Sequence, residues 1–568
     1  MGNQATKPDR RQSFAEETDS SSSTLMSEEP ETDKCFARIL PQRKQPLLLI
    51  ETTARPSESC SPYFRSSNES PFSRSSSWMS LFDELEYTDE ELLLSDTKAT
   101  EESDFSRPRP YWIVTTAALP WFTGTAVNPL LRAAYLVKYF EERQIASTVT
   151  LVIPWLEDPE DRVELYGPEW ETATREDQER YIRDWLRPSL DVQALRLHFY
   201  PARYHSRLSS IFAMGDFCER LPIEEDAVCC LEEPEHLNWY RAPGKQSWRV
   251  KFRHVIGILH TNYKAYGQSH PYLGMVTGPL IGALSKWPVR AYCDKVVKLS
   301  DVLPSYCPEK EVVCNVHGIR KQFLDVEAPT GNGVYFVGKL LWAKGLDRLL
   351  ELQQSYKKQK GEYFAMTVYG SGPEEEEIRQ AYMAHADDEK RFWKRSPPLP
   401  VTFAGRKDHA AISSEYKTFV NPSVTEVLCT STAEAVAMGK FVIIPDHPSN
   451  QFFKQFPNCL FYTTKSEFCD RLDWALHHDP TPLSSELRYE LTWDAATERF
   501  FRAGMVSERD AARRNRVSKK SDDRLADLHY ELFKGQTGDV LRKVCGAGPA
   551  AEQYKYEQGI TSCGVATA

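Results

Sequence analysis

Several features that would place the chain in a large class are missing. Its 13 cysteines contain no C-x-x-C pair, so their spacing suggests neither a zinc site nor a disulfide framework, and reducing surroundings suit them best. The adjacent Cys229 and Cys230 lie in a strand-like run, where neighbouring side chains face opposite sides. No long uncharged apolar run occurs and mean hydropathy is -0.51, so no membrane-spanning helix is expected and any membrane contact is peripheral. No apolar core follows the first charges, which argues against a secretory signal. G-x-G-x-x-G after a strand is absent, which argues against a Rossmann oxidoreductase. No carboxylate pair with D-x-D spacing stands at a suitable strand end, so no metal site is evident from that pattern.

What is present describes a folded body with tails. At 568 residues the chain is too long for one ordinary core and is expected to form two or three domains. Serine runs and acidic stretches dominate residues 1–107 without sustained periodicity, and this segment is expected to be disordered. Gly2, in the opening Met-Gly-Asn-Gln-Ala-Thr, fits an N-myristoylation pattern, and Lys7, Arg10 and Arg11 would add attraction to anionic lipid. The acid-rich composition of the segment is unlike a plastid transit peptide.

From residue 110 short β-branched runs alternate with longer helical patterns, the signature of α/β architecture with parallel sheets. Strands are expected at 111–116, 149–154, 195–200, 227–231, 255–260 and 295–299, with a helix over 127–143 after the first. A turn-rich stretch at 327–333 precedes a second series, with strands at 334–337, 366–369, 401–404, 417–420 and 441–444. Such sheets bind ligands beyond the carboxyl ends of their strands, in the gap between domains.

In the second series, Gly338, Lys339, Lys344 and Gly345 follow the first strand, and two ammonium groups at a helix entrance suit a diphosphate. Glu426 lies on a loop after a strand and Glu434 about a turn inside the next helix. That spacing can set two carboxylates along one nucleotide sugar, on the hexose hydroxyls and on the ribose diol. Neither motif is decisive alone, since lysine pairs are common on solvated helix faces.

Together and in this order they resemble the nucleotide-binding half of the family-four retaining glycosyltransferases, whose fold is GT-B. Residues 315–319 resemble that family's junction between halves, and Gly370 and Gly405-Arg406 sit where its next strand ends should. Runs at 119–129, 232–240, 260–263 and 433–440, the last followed by 446–450, are similar to those of its galactolipid branch, the digalactosyldiacylglycerol synthases. The resemblance covers about residues 109 to 505. It implies two facing Rossmann-like domains, at 108–325 and 326–485, C-terminal helices over 486–534 returning to the first domain, and a flexible tail over 535–568.

The resemblance also implies an activity: transfer of galactose from UDP-galactose to monogalactosyldiacylglycerol, on the cytosolic face of the plastid outer envelope. An alternative is a relative with another lipid or sugar acceptor. Gly124, Gly338, Lys339, Lys344, Gly370, Gly405, Arg406, Glu426, Ser431, Thr432 and Glu434 are the expected donor-binding positions. Glu426 would orient galactose, Glu434 bind ribose, and Lys339 and Lys344 neutralise the departing diphosphate. His260, ending an apolar strand, is expected to point into the cleft and hold the donor hexose, making His260, Glu426 and Lys344 the catalytic set. At Gly124 the chain has Thr123-Gly124-Thr125 where many relatives carry paired glycines. No cofactor is implied and no metal site is evident, although Mg2+ stimulation is compatible with the chemistry.

Charge gives an independent reading. From 236 to 293 there is no Asp or Glu, although the chain carries net charge -11. Arg241, Lys245, Arg249, Lys251, Arg253, Lys264, Lys286 and Arg290 are interleaved there with Trp239, Tyr240, Trp248, Tyr263, Tyr266, Tyr272 and Trp287. Cations among rings suit the headgroup region of an anionic membrane. Nucleic acid is the weaker reading, since the chain is acidic and no recognisable module surrounds the block. Oligomeric state is not legible.

Overall fold

The computed structural model describes residues 107–506 except 207–208, 215, 239–247, 263–284, 327–328, 389–398 and 413, together with Arg524 and Leu528. Gly2, the two tails and the central part of the basic block lie outside the described residues.

Two sheets form the body, as GT-B requires. The first has eight strands in the order β4-β3-β2-β1-β5-β6-β7-β8: β1 (Pro110–Val114), β2 (Thr148–Leu156), β3 (Arg196–His205), β4 (Ser210–Ala213), β5 (Glu224–Glu232), β6 (Phe252–Leu259), β7 (Lys295–Lys298) and β8 (Glu311–Val313). All neighbours run parallel except β3 and β4. The second has six, all parallel, in the order β11-β10-β9-β12-β13-β14: β9 (Gly333–Val337), β10 (Met366–Tyr369), β11 (Val401–Gly405), β12 (Tyr416–Val420), β13 (Phe441–Pro445) and β14 (Cys459–Tyr462). Every expected strand is present. Three were not foreseen, β4, β8 and β14, each only three or four residues long and so without a readable period.

The central strands read as continuous apolar runs because helices cover both faces. Cys229 and Cys230 show this directly: they belong to different apolar clusters on opposite sides of the first sheet. The nine described cysteines are free thiols.

Helix α1 (Gly124–Glu142) follows β1. It is succeeded by α2 (Pro159–Tyr166), α3 (Arg175–Leu186), and the single turns α4 (Pro234–Leu237) and α5 (Trp248–Lys251). The second half contributes α6 (Leu346–Lys360), α7 (Glu375–Asp388), α8 (Thr430–Ala437), α9 (Lys465–His477), α10 (Ser485–Glu490) and α11 (Trp493–Ala503).

Of the C-terminal helices expected over 486–534, α11 packs on α1 of the first half, and the stretch from 507 lies outside the described residues apart from Arg524 and Leu528. Tyr139 meets Phe501 with centroids 4.8 Å apart, Lys138 pairs with Asp494 at 2.6 Å, and the Arg132 guanidinium lies 5.1 Å from the Phe500 ring centroid. The chain therefore crosses between halves twice, at 315–319 and before α11. A parallel bridge joins Ile319 to Thr492. Arg499 clasps both crossings, donating to the carbonyls of Asn315 at 2.6 Å and His317 at 3.1 Å while pairing with Glu490 at 2.9 Å. Gly318 is obligatory here, because a Cβ would stand 2.4 Å from the Trp493 amide nitrogen.

Two outcomes follow from this packing. Gly370 has φ +142°, and a Cβ there would stand 1.9 Å from the Gly338 carbonyl oxygen, so Gly370→Ala is expected to cost about 3 kcal/mol or more, read as a lowered midpoint in chemical denaturation. Among the described residues the buried Nε2 atom of His317 has no hydrogen-bond partner, although the residue keeps some surface. Burial first, then the charges of His260, Arg132 and Arg499, holds its pKa well below the ordinary value. The unfolded ring takes a proton below about pH 6.5 and the folded ring resists it, so this contribution is present above that pH and lost as pH falls below it. Thermal unfolding at pH 7.5 and 5.5 should show His317→Gln losing about 1 kcal/mol less than the parent on acidification.

Candidate functional site

Each sheet reverses its strand order at one place, and there the following loops diverge and leave a crevice. In the second sheet the reversal lies between β9 and β12, so the loops after these strands, 338–345 and 421–429, flank it. These loops hold the lysines and Glu426.

The strand ends are stitched together first. The Gly338 amide donates to the Tyr369 carbonyl at 3.1 Å, Leu340 to Ser371 at 3.0 Å and Gly370 to Gly405 at 2.8 Å. The amides of Gly338 and Gly370 are thus engaged in these bonds, and of the expected glycines Gly370 is the one pressed against neighbouring backbone. Lys339 and Arg406 are exposed beside them. A 3-10 turn, Trp342–Lys344, leads into α6, with Gly345 as N-cap at φ +81°. A Cβ on Gly345 would lie 2.9 Å from the Pro422 carbonyl, so glycine lets this turn lie against the loop after β12. Thr425 then donates its hydroxyl to the Ala343 carbonyl at 2.6 Å, and the Lys344 ammonium donates to Glu426 Oε1. Both partners keep some exposure, 28% and 20%, so the pair remains open to a ligand. Val427 packs against the apolar cluster of the first half, which puts the Glu426 loop at the junction of the two halves.

Helix α8 starts at the end of this loop with no side chain capping its first amides. Ser431 is half-buried beside them. Thr432 corrects the expectation: its hydroxyl faces inward, accepting from Asn421 Nδ2 at 3.2 Å, and the residue is fully buried, so it fixes the loop and does not present a side chain to a ligand. Glu434, one turn inside α8 as expected, is 16% exposed. Its Oε2 accepts from His409 Nδ1 at 2.8 Å, and His409 Nε2 bonds the Tyr335 hydroxyl at 2.9 Å. His409 was not foreseen; its only sequence signal is a position shortly after the Gly405-Arg406 strand end. Burial first, then the Glu434 charge, pushes the Tyr335 phenol well above its ordinary range.

The first sheet reverses between β1 and β5. Thr116, just past β1, donates to Glu233 Oε2 at 2.7 Å, and Thr261, past β6, donates to Glu233 Oε1 at 2.5 Å. One carboxylate thus ties three strand ends together, from a backbone in the left-handed region, φ +67°. Gly124 opens α1 at the same end; it is exposed, a Cβ there would meet nothing closer than 3.6 Å, and Thr123 and Thr125 bond each other beside it at 3.1 Å.

His260 does not stand free in the cleft as expected. Its side chain is 5% exposed and its Nε2 bonds Glu232. The other oxygen of Glu232 accepts from Arg132 Nε at 2.6 Å, with both side chains essentially buried. Burial alone would raise the Glu232 carboxyl, but Arg132 and the His260 bond overcome it and hold it below its ordinary value. The His260 ring lies 5.1 Å from that of His317 on the crossing segment. The paired acids ending β5 were visible in the sequence but received no role there.

The basic block also needs correction where it is described. Lys251 is buried and donates to the carbonyls of Glu219 at 2.7 Å and Leu221. Arg249 lies against Asp294 at 3.5 Å with a side chain 5% exposed, and Trp248 is fully buried, its indole donating to Asn238. These three serve the packing of α5 on the sheet. Arg253 and Lys286 are exposed, with Trp287 and Arg290 half-buried.

Among the described residues no helix is long and apolar enough to cross a membrane, and no group of three or more His, Cys, Asp or Glu gathers where a metal ion could be held.

Comparison with known proteins gives the following. Residues 331–477 match the family of glycosyl transferases group 1. The chain is 39% identical over 483 residues to "Digalactosyldiacylglycerol synthase 1, chloroplastic" of Arabidopsis thaliana, covering 80% of this chain but 56% of that protein. It is 39% identical over 470 residues to "Digalactosyldiacylglycerol synthase 2, chloroplastic" of the same plant, covering 78% of this chain and 94% of that protein. The chain thus spans little more than half the length of the first relative and nearly all of the second. Among solved structures, TarM aligns over 76% of this chain with TM-score 0.43 and 10% identity. The extent of the match to the second relative makes this chain a member of the digalactosyldiacylglycerol synthase family.

Proposed function

We propose that this chain is a retaining galactosyltransferase that moves galactose from UDP-galactose to monogalactosyldiacylglycerol, yielding digalactosyldiacylglycerol and UDP. The observation that carries this reading is the placement of Lys344, Glu426 and Glu434 around the strand-order reversal of the second sheet, at its junction with the first half.

The chemistry follows from charge. The bond from the anomeric carbon to the phosphate oxygen breaks, its electron pair leaves on the diphosphate, and the hexose becomes oxocarbenium-like. Lys344 and Lys339 neutralise the growing negative charge in a site partly shielded from water. The acceptor hydroxyl attacks from the same face and its proton passes to the departing phosphate, so no protein carboxylate is needed as base. In the free protein Lys344 and Glu426 balance each other; donor binding redirects the ammonium to phosphate and the carboxylate to hexose hydroxyls. His260, held by Glu232, contributes a fixed ring at the opposing strand ends.

Docking is proposed to be peripheral, on the plastid outer envelope facing the cytosol, with Gly2 acylation as a further anchor. Of the basic block, the exposed Arg253 and Lys286 suit contact with anionic headgroups.

Labelled UDP-galactose incubated with the purified protein and monogalactosyldiacylglycerol should yield the digalactosyl lipid, and Glu426→Gln should cut turnover about tenfold or more while UDP affinity stays within about threefold. Unchanged turnover removes the role given to Glu426, and transfer to another acceptor alone replaces the substrate while keeping the donor site. In vesicle flotation, Arg253→Glu with Lys286→Glu should weaken binding to anionic bilayers about tenfold; undiminished binding takes this face out of the interface.

A further inference from the structure

The described part of the second half contains a polar chain behind Glu434, two of whose members, Tyr335 and His409, have been given no role in the transfer. Tyr335 is in the middle of β9, His409 in a short turn after β11, and Glu434 in α8. Three separate elements are thus joined by two hydrogen bonds, Tyr335 Oη to His409 Nε2 at 2.9 Å and His409 Nδ1 to Glu434 Oε2 at 2.8 Å. Tyr335 is fully buried and His409 is 6% exposed, whereas Glu434 alone keeps a path to the surface, at 16%.

The proton inventory gives the chain a direction. Carboxylate oxygens accept, so Nδ1 of His409 carries a proton and donates it to Glu434. The phenol, kept protonated by burial and by the neighbouring carboxylate, donates to Nε2. The imidazole is thereby fixed in one tautomer, and its ring is wedged between Phe323 and Phe419, with centroids 5.9 Å and 5.8 Å away. One oxygen of Glu434 is occupied and held in place, leaving Oε1 for a ligand. A vicinal diol is best gripped by a carboxylate whose rotation is blocked, because the ordering cost has been met before binding.

We propose that His409, backed by Tyr335, is a positioning residue that locks the Glu434 carboxylate for the ribose diol of a nucleoside diphosphate, and so sets the preference of this site for ribonucleotides over their deoxy analogues. The proposal rests on the reading of Glu434 as a ribose ligand.

Titration calorimetry on the full chain with UDP and with 2′,3′-dideoxyuridine diphosphate tests it. The parent should bind UDP about tenfold or more tightly than the dideoxy compound. His409→Leu should lose about tenfold in UDP affinity and leave the dideoxy compound unchanged, so the discrimination collapses. His409→Asn, whose amide nitrogen can stand where Nδ1 stands, should restore UDP affinity to within about threefold. A purely structural role would weaken both ligands together, and that result, or full discrimination retained in His409→Leu, overturns the proposal. Should the leucine variant not fold, Tyr335→Phe serves instead: discrimination falling about threefold supports the lock, and unaltered discrimination overturns it. A parent protein that binds both compounds equally would remove the ribose role of Glu434 itself and the proposal with it.

Discussion

The whole arrangement depends on a property of parallel sheets: a connection must travel back over a face before the next strand begins, so all strands finish at the same end. Where the strand order reverses, consecutive connections go to opposite faces and the loops separate. Both sheets gather ionisable side chains at that point. In the second it is Lys344 and Glu426, brought together because Gly345 allows one loop to lie on the backbone of the other. In the first it is Glu233, held by threonines from the flanking strand ends.

Burying charge at these ends demands compensation, because an unpaired ion in the interior costs several kcal/mol. Glu232 shows the solution: Arg132 on one oxygen and His260 on the other, with Arg132 also donating to the Val316 carbonyl at 3.0 Å. The network therefore reaches from α1 through a strand end of the first sheet to the segment that leaves for the second half. Arg499 does the same from α11. Fixed charges and apolar packing meet at the two chain crossings, where Val316 and Trp493 lie in the apolar cluster of the first half.

Much of this was legible in the sequence, for physical reasons. Long β-branched runs, the helical period after 127 and the order of lysines and glutamates all report local constraints, and the strand ends at 337, 420 and 259 fall where these patterns stop. The helix bearing Glu434 was recoverable because its spacing from Glu426 reflects the loop between them. What escaped was pairing across long separations. His409 meets Glu434 across 25 positions and Arg132 meets Glu232 across 100, and nothing local marks such partners. The basic block misled in part for the same reason: Lys251 looks like a surface cation until the carbonyls of Glu219 and Leu221 are seen around its ammonium. Short edge strands such as β8 were invisible because three residues carry no period.

The paired crossings also limit how the molecule can move. Two segments run side by side, joined at Ile319 and Thr492 and gripped by one guanidinium, so neither can shift without breaking the bonds that Arg499 makes to the other.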